Sequence, residues 1–89
     1  MVANGSKEMA SRLDLADWVI QALKAHAGRA SIVNVAEHIW LHHEKELRAS
    51  GELFYTWQYD MRWACTRLRE SGVVQAAEVS KRGEWRLRS

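Results

Sequence analysis

Four polar residues in the C-terminal third of the chain share a helical spacing and a common chemistry. Gln58, Arg62, Thr66 and Arg69 follow one another at intervals of four, four and three residues, which places them on one face of a helix. Arginine can pair with O6 and N7 of guanine, glutamine with N6 and N7 of adenine, and threonine or arginine can hold a phosphate. The pattern predicts a surface that contacts a nucleic-acid groove, although a solvated helix face also carries such residues.

A second basic group lies near the C-terminus at Lys81 and Arg82. Gly83 follows them and can adopt the positive φ that a tight hairpin turn needs. Two adjacent cations at the tip of a hairpin are suited to contact a phosphate backbone. The alternative is a charged turn that protects an edge strand from aggregation.

Charge is distributed unevenly along the 89 residues. Residues 1–61 carry 6 basic and 8 acidic side chains, a balance of −2, whereas residues 62–89 carry 7 basic and 3 acidic side chains, a balance of +4. The formal net charge of +2 therefore conceals a basic C-terminal third. Such a polarised charge favours binding to double-stranded DNA that weakens with salt, with chance segregation in a short chain as the alternative.

The sequence gives only weak signals for metal binding or for nucleophilic catalysis. His38, His42 and Glu46 recur at intervals of four and could ligate zinc together with Cys65, but no Cys-x-x-Cys exists and the stretch is charged. Cys65 borders an apolar stripe and reads as a small buried residue, without a base to activate it. We therefore expect no metal, no cofactor, no catalytic residue and no small-molecule substrate, and a binding module rather than an enzyme.

Apolar periodicity predicts three helices that would position these residues. The first begins near residue 12, packs through Leu13, Ala16, Ile20, Leu23 and Ala27, and stops at Gly28 as the C′ residue. The second follows an N-cap at Ser31 or Asn34 and runs over 33–47. The third has Thr56 as N-cap, ends at Ser71 before Gly72, and buries four apolar residues, namely Trp57, Met61, Ala64 and Leu68.

The C-terminal segment changes to the period of a strand. Val73–Gln75 is strand-like, and in residues 84–88 the apolar Trp85 and Leu87 alternate with Glu84, Arg86 and Arg88, so that the two sets face opposite sides of a sheet. With Lys81–Gly83 between them, the two segments predict a hairpin, and Ala30–Ile32 predicts a short extended segment. The expected class is α+β, mainly α, as a winged helix-turn-helix with a C-terminal β-hairpin wing over residues 11–89 after a mobile tail at 1–10.

Two motifs of the C-terminal third resemble a known family. Met61-Arg-Trp-Ala-Cys-Thr-Arg-Leu-Arg-Glu-Ser-Gly-Val-Val74, followed by Lys81-Arg-Gly-Glu-Trp-Arg-Leu87, is similar to the N-terminal winged-helix domain of Mrr-type restriction proteins. The resemblance extends over about residues 13–88 and implies a DNA-binding module that normally accompanies a nuclease. Cys65 stands where the family has arginine and Ser71 where it has alanine. The 89 residues contain no Asp followed at a suitable distance by Glu-x-Lys, a pattern that could hold a metal for phosphodiester cleavage, so we expect no such cleavage.

Composition and sequence pattern argue against disulfide-rich, membrane-spanning and secreted classes of protein. The single cysteine excludes an intramolecular disulfide framework, no run of 18 apolar residues is present to span a membrane, and the first residues lack the apolar stretch of a secretory signal. A cytoplasmic location is therefore expected. The five tryptophans supply bulk to a small core, with Trp63 the one that could instead stack on a base. A protein-interaction or dimerisation winged helix without direct DNA binding remains the alternative function, and a homodimer is compatible with both.

Overall fold

Three helices and a two-stranded antiparallel sheet make up the part of the chain that the structure describes. The computed structural model describes residues 10–79 and 81–88. Along the chain the elements are α1 (Asp14–Ala25), β1 (Arg29–Ser31), α2 (Ile32–Arg48), α3 (Leu53–Glu70) and β2 (Glu84–Arg86). The chain is therefore a small, mainly helical α+β fold, as expected. Within the described ranges, no helix has the length and apolar character needed to cross a bilayer.

The core forms where the three helices meet the sheet. The predicted inward residues of α3 are confirmed, because Trp57, Met61, Ala64 and Leu68 are all buried. Cys65 is buried beside them. Three of the tryptophans, at positions 18, 57 and 85, are buried, while those at 40 and 63 are partly buried and pack against the same cluster.

The predicted apolar stripe of α1 is confirmed in its middle, where Leu23 is buried and Ala16 and Ile20 pack partly buried against the core, and is wrong at its two ends. Leu13 is 73% exposed and Ala27 is exposed, whereas Leu15, Trp18 and Val19 are buried. The apolar side of this helix is wide, and Asp17, Gln21 and Lys24 occupy the exposed side, so periodicity alone does not define the edges of the buried stripe. Contacts of α1 with both α2 and α3 decide which residues turn inward. Similarly, Leu47 in α2 is fully buried although it is isolated in the sequence.

The start of α3 lies one turn earlier than predicted. Leu53, Phe54 and Tyr55, which precede the predicted N-cap, form its first turn. Thr56 is consequently inside the helix and is not the N-cap, and its Oγ1 donates to Asp60 Oδ2 at 2.8 Å. Burial of Leu53 accounts for the earlier start, because it anchors the first turn to the core.

Three helix ends follow recognisable capping patterns. Ser31 is the N-cap of α2, and its Oγ accepts a hydrogen bond from the Asn34 N–H at 3.1 Å. Gly72 is the C′ residue of α3 with φ of +85°, as predicted. At the end of α1, however, the C′ position belongs to Ala27, with φ of +62°, and Gly28 comes one residue later.

The sheet is shorter than the predicted hairpin. β1 pairs antiparallel with β2, so that Ala30 lies opposite Trp85 and both are buried. Val73–Gln75 is not a strand, and contributes only an isolated bridge between Val74 and Leu87. The Gln75 N–H donates to the Arg86 carbonyl at 2.8 Å and the Arg88 N–H to the Val73 carbonyl at 2.9 Å, so the predicted pairing forms around this bridge alone. It extends no further toward α3 because the N–H groups of Val73 and Val74 both donate to the Leu68 carbonyl.

The alternation predicted for residues 84–88 is confirmed. Trp85 is buried and Leu87 packs partly buried against the core, while Arg88 is exposed and Glu84 and Arg86 are half-buried. The sheet therefore has one apolar face and one charged face.

Residues 1–9, most of the predicted mobile tail, lie outside the described residues, as do Ser80 and Ser89. Ala10, the first described residue, is buried, and its N–H donates to Ser50 Oγ at 2.8 Å. Ser50 Oγ in turn donates to the Glu46 carbonyl. The chain is thus tied to the loop after α2 one residue before the predicted start of the folded domain.

Candidate functional site

The outward face of α3 carries three of the predicted site residues. Gln58, Arg62 and Thr66 are all exposed, because the opposite face of the helix is occupied by the core. Thr66 Oγ1 donates to the Arg62 carbonyl at 3.2 Å, so the hydroxyl is held against its own helix. The Arg62 guanidinium forms no ion pair with any carboxylate of the described ranges. The three side chains therefore present polar groups to solvent along one line.

Arg69 has a different environment from the other three. It is half-buried, and its Nε donates to the Gln75 carbonyl at 3.0 Å. The side chain thus connects the end of α3 to the segment that leads into the sheet. Replacing Arg69 would remove this bond, so the residue has a structural role beside any role at the surface.

The basic turn is formed as predicted. Lys81 and Arg82 are exposed, Gly83 has φ of +77°, and the Glu84 N–H donates to the Lys81 carbonyl at 3.0 Å, closing a four-residue turn. The Gly83 carbonyl accepts from the Ile32 N–H at 3.1 Å. This bond fixes one side of the turn to the start of α2, with Lys81 and Arg82 exposed to solvent.

Two tyrosines on the exposed side of α3 were missed by the sequence reasoning. Tyr55 is 84% exposed and Tyr59 is 76% exposed. Because α3 begins at Leu53, these residues extend the line through Arg62 and Thr66 at intervals of four, three and four. The signal that could have found them is this spacing, which becomes visible only when the helix is extended past Thr56. The exposed face is therefore aromatic at its beginning and basic further along.

A groove of about 590 Å³ runs between α2 and α3 beside this face. Trp40 and Trp57 lie stacked along it with ring centroids 6.1 Å apart, and Phe54 is 6.4 Å from Trp40. Glu37, Gln58 and Arg62 supply its polar lining. Gln58 and Arg62 thus belong to both the exposed face and the groove.

Trp63 packs on the flank of α3 rather than standing free. It is half-buried against the core, and the Arg12 guanidinium lies 4.0 Å from the centroid of its ring. Arg67 approaches the same ring at 5.8 Å. Cation–π contacts of this kind stabilise the ring where it is. The core role favoured by the sequence is confirmed for Trp63.

The candidate zinc ligands do not converge on a common point. His38 and His42 stack with ring centroids 4.0 Å apart, and His42 Nδ1 lies 2.9 Å from the His38 carbonyl oxygen. Glu46 is paired with His43 at 2.8 Å instead. Among the residues that the structure describes, no group of three His, Cys, Asp or Glu side chains could hold a metal ion. Burial, followed by the charges of neighbouring histidines, lowers the pKa of His38 from its ordinary value.

Cys65 lacks the environment of a nucleophile. Burial raises the pKa of its thiol to about 11, and this effect exceeds the opposing influence of Arg69. The thiolate is the reactive form of cysteine, so almost none is present at neutral pH. Cys65 acts as a small apolar residue in the packing of α3.

Comparisons of the chain with models of protein families, with curated proteins and with solved structures find no match. The resemblance to Mrr-type winged helices consequently stays a prediction from the two sequence motifs. The function has to be argued from the geometry of the exposed face of α3 and of the basic turn.

Proposed function

We propose that the chain is a winged-helix module that binds double-stranded DNA, with α3 in the major groove and the turn of Lys81–Gly83 against the phosphate backbone. The order of helix, strand, two helices and a final strand preceded by a basic turn is compatible with this class of fold. The resemblance to Mrr-type proteins favours a role as a regulator or an accessory targeting module of a restriction-type system.

One observation carries the proposal. The face of α3 opposite the core presents Gln58, Arg62 and Thr66 to solvent, on a helix that the core holds rigidly. A helix of this kind fits the major groove, where glutamine and arginine can pair with base edges. Arg62 is also not engaged by a described carboxylate, so binding DNA would not first require an ion pair to break.

Charge supports the same orientation. Arg62, Lys81 and Arg82 are all exposed and all belong to the basic C-terminal third. Each cation that neutralises a phosphate releases counterions, so affinity should fall as salt rises. The two exposed tyrosines add flat surface to the beginning of the same face, suited to contact sugars and thymine methyl groups.

The decisive experiment is the variant Arg62→Ala, measured by fluorescence anisotropy with labelled duplexes over a series of salt concentrations. We expect it to weaken binding by about 1–3 kcal/mol if Arg62 reads a base, and to lower the salt slope by about 1 if Arg62 contacts a phosphate. The thermal midpoint should hardly change because Arg62 is exposed. Arg62 is preferred to Arg69, whose bond to Gln75 would confound the result.

The matched control is Lys24→Ala, which removes one exposed cation from the last turn of α1. It should leave duplex affinity nearly unchanged. Equal losses for the two variants would mean that only overall charge matters and that the face of α3 is not the contact. Unchanged binding by Arg62→Ala would contradict the proposed orientation directly.

The alternative, a protein-interaction or dimerisation winged helix, is favoured by a separate observation. Val33, Leu41, Tyr55 and Tyr59 are large apolar side chains that are mostly exposed on α2 and α3. Aromatic residues of this kind are enriched in protein interfaces. If the wild-type chain binds no duplex even at low ionic strength, and Tyr55→Ser with Tyr59→Ser abolishes self-association in sedimentation measurements, this alternative replaces DNA binding.

A further inference from the structure

The charged face of the sheet brings arginines together that are distant in the sequence. In the register of β1 and β2, Arg29 lies directly opposite Arg86. Ala30 and Trp85, the next pair, are buried on the other side, so the two arginines point away from the core. Arg88 lies two residues beyond Arg86, and therefore on the same face, and lines the same cavity.

This arrangement is electrostatically unfavourable as it stands. Like charges directly opposite each other in an antiparallel pair repel and destabilise the sheet. The nearby carboxylate is Glu84, whose Oε1 lies 3.8 Å from Arg86 Nη2. Three arginines and one glutamate leave a surplus of two positive charges, which equals the charge of a phosphate dianion.

Unsatisfied polar atoms lie in the same place. Within the described ranges, Arg86 Nε, Gln75 Oε1 and Glu84 Oε1 are buried and have no hydrogen-bond partner, and the Glu84 oxygen is held near Arg86 only by the ion pair. The Arg86 side chain is 36% exposed, so its guanidinium reaches solvent while Nε lacks an acceptor, and a ligand in the cavity could supply one. Rotation of the Gln75 amide would present N–H donors where its oxygen now lies. An acceptor-rich anion could satisfy both side chains.

The space is large enough for such an anion. A cavity of about 580 Å³ is lined by Arg29, Arg86, Arg88 and Gln75, together with Leu87 and with Ala27 and Gly28 at the end of α1. The planar fork of a guanidinium matches the oxygens of a phosphate and can bind two of them at once. Arginines approaching from both paired strands would surround one phosphate group.

We propose that this cavity is a phosphate-binding site, separate from the exposed face of α3. The phosphate belongs either to a nucleic-acid backbone or to a small phosphorylated molecule, and the chemistry of recognition is the same for both. The site does not depend on the proposed function of α3, because none of its residues lies on the face that carries Gln58 and Arg62.

The test uses thermal unfolding of the whole chain with inorganic phosphate as the probe, against chloride at equal ionic strength. Phosphate should raise the midpoint of the wild type in a saturable way, because a ligand of the folded state stabilises it. Arg29→Gln should abolish this gain. In phosphate-free buffer of low salt, the same variant should melt above the wild type, because it removes the repulsion of Arg86.

Arg29→Gln should abolish the phosphate-induced rise in the thermal midpoint, yet it should raise the midpoint in phosphate-free buffer. A purely structural role of Arg29 would not produce these two opposite changes. Arg67→Gln is the matched control, since Arg67 is an exposed arginine on α3 that is 3.9 Å from Glu70. This variant should keep the full gain from phosphate. The proposal is overturned if phosphate stabilises no more than chloride does, or if Arg29→Gln retains the gain.

Two further measurements identify the source of the phosphate. A lower salt slope of duplex binding in Arg29→Gln assigns the site to the DNA backbone. Saturable binding of a 5′-phosphorylated mononucleotide that Arg29→Gln loses, with an unchanged duplex slope, assigns it to a small molecule. Arg62→Ala should not alter the phosphate gain, so failure of the α3 proposal is distinguishable from failure of this one.

Discussion

Ala27 is held in a conformation that suits glycine, and Ala27→Gly should stabilise the fold. Residues 23–28 end α1 in a Schellman arrangement, in which the Gly28 N–H donates to the Leu23 carbonyl at 2.7 Å and the Ala27 N–H to the Lys24 carbonyl at 3.3 Å. This geometry forces φ of +62° on Ala27. Its side chain is exposed, so loss of the methyl group removes little packing.

The expected change in the free energy of unfolding is the difference between two opposing contributions. A left-handed conformation costs a residue with a Cβ about 1–2 kcal/mol, and glycine avoids that cost. Glycine also gives the unfolded chain more conformational freedom, which lowers the free energy of unfolding by about 0.5–1 kcal/mol. The net gain in the free energy of unfolding should be about 0.5–1 kcal/mol. For a domain of this size that corresponds to about 2–8 °C in the thermal midpoint.

The assay is urea denaturation and thermal melting followed by circular dichroism. Ala25→Gly is the control, because Ala25 is the last residue of α1, where glycine should lower the free energy of unfolding by at most about 0.5–1 kcal/mol. Gly72→Ala tests the reverse substitution, from glycine to alanine, at the end of α3. Gly72 occupies the same C′ position in α3 with φ of +85°, and an added Cβ would lie 3.2 Å from Arg88 Nη1, so this variant should destabilise.

The opposite signs at positions 25 and 27 make the result decisive. If Ala27→Gly destabilises the chain as much as Ala25→Gly does, then α1 continues through Ala27 and the Schellman end is wrong. If Ala27→Gly raises the free energy of unfolding but Gly72→Ala does not lower it, then flexibility of the loop, rather than the sign of φ, determines the outcome.

Two further predictions concern titrating side chains. Because burial raises the pKa of Cys65 to about 11, the thiol should react slowly with an aromatic disulfide reagent in the native state and rapidly in urea; fast native labelling at neutral pH would contradict the buried position. The lowered pKa of His38 means that the unfolded chain binds a proton first as pH falls below the ordinary value of 6.5, so stability should decrease on acidification through that range. His38→Gln should reduce this decrease in urea titrations, and an NMR titration that places the pKa of His38 at or above 6.5 would refute the reasoning.

The local elements were predictable because they depend on short-range patterns. The inward residues of α3 recur at helical spacing, and Gly72 and Gly83 lie where positive φ is needed, so both were located from the sequence. The alternation around Trp85 likewise identified the two faces of β2. These features need only a period or a residue with a special backbone preference, and both are visible without tertiary contacts.

Other features required knowledge of what each element packs against. The prediction for α1 was wrong at its start because Leu13 and Leu15 are both plausible inward residues, and only contact with α2 and α3 selects Leu15. The face of α3 was incomplete for a similar reason. Burial of Leu53 starts the helix a turn early, and this places Tyr55 and Tyr59 in line with Arg62.

The sequence by itself determined the mainly helical α+β composition, the basic C-terminal third and the spacing that places Gln58, Arg62 and Thr66 on one face of α3. Only the tertiary structure decided which cations lie next to each other. Arg29 and Arg86 are 57 positions apart in the chain, yet the register of β1 and β2 places them directly opposite each other. The physical reason is that pairing of strands is a long-range contact, whose partner and register are set by burial of Ala30 and Trp85 and not by any local pattern around either arginine.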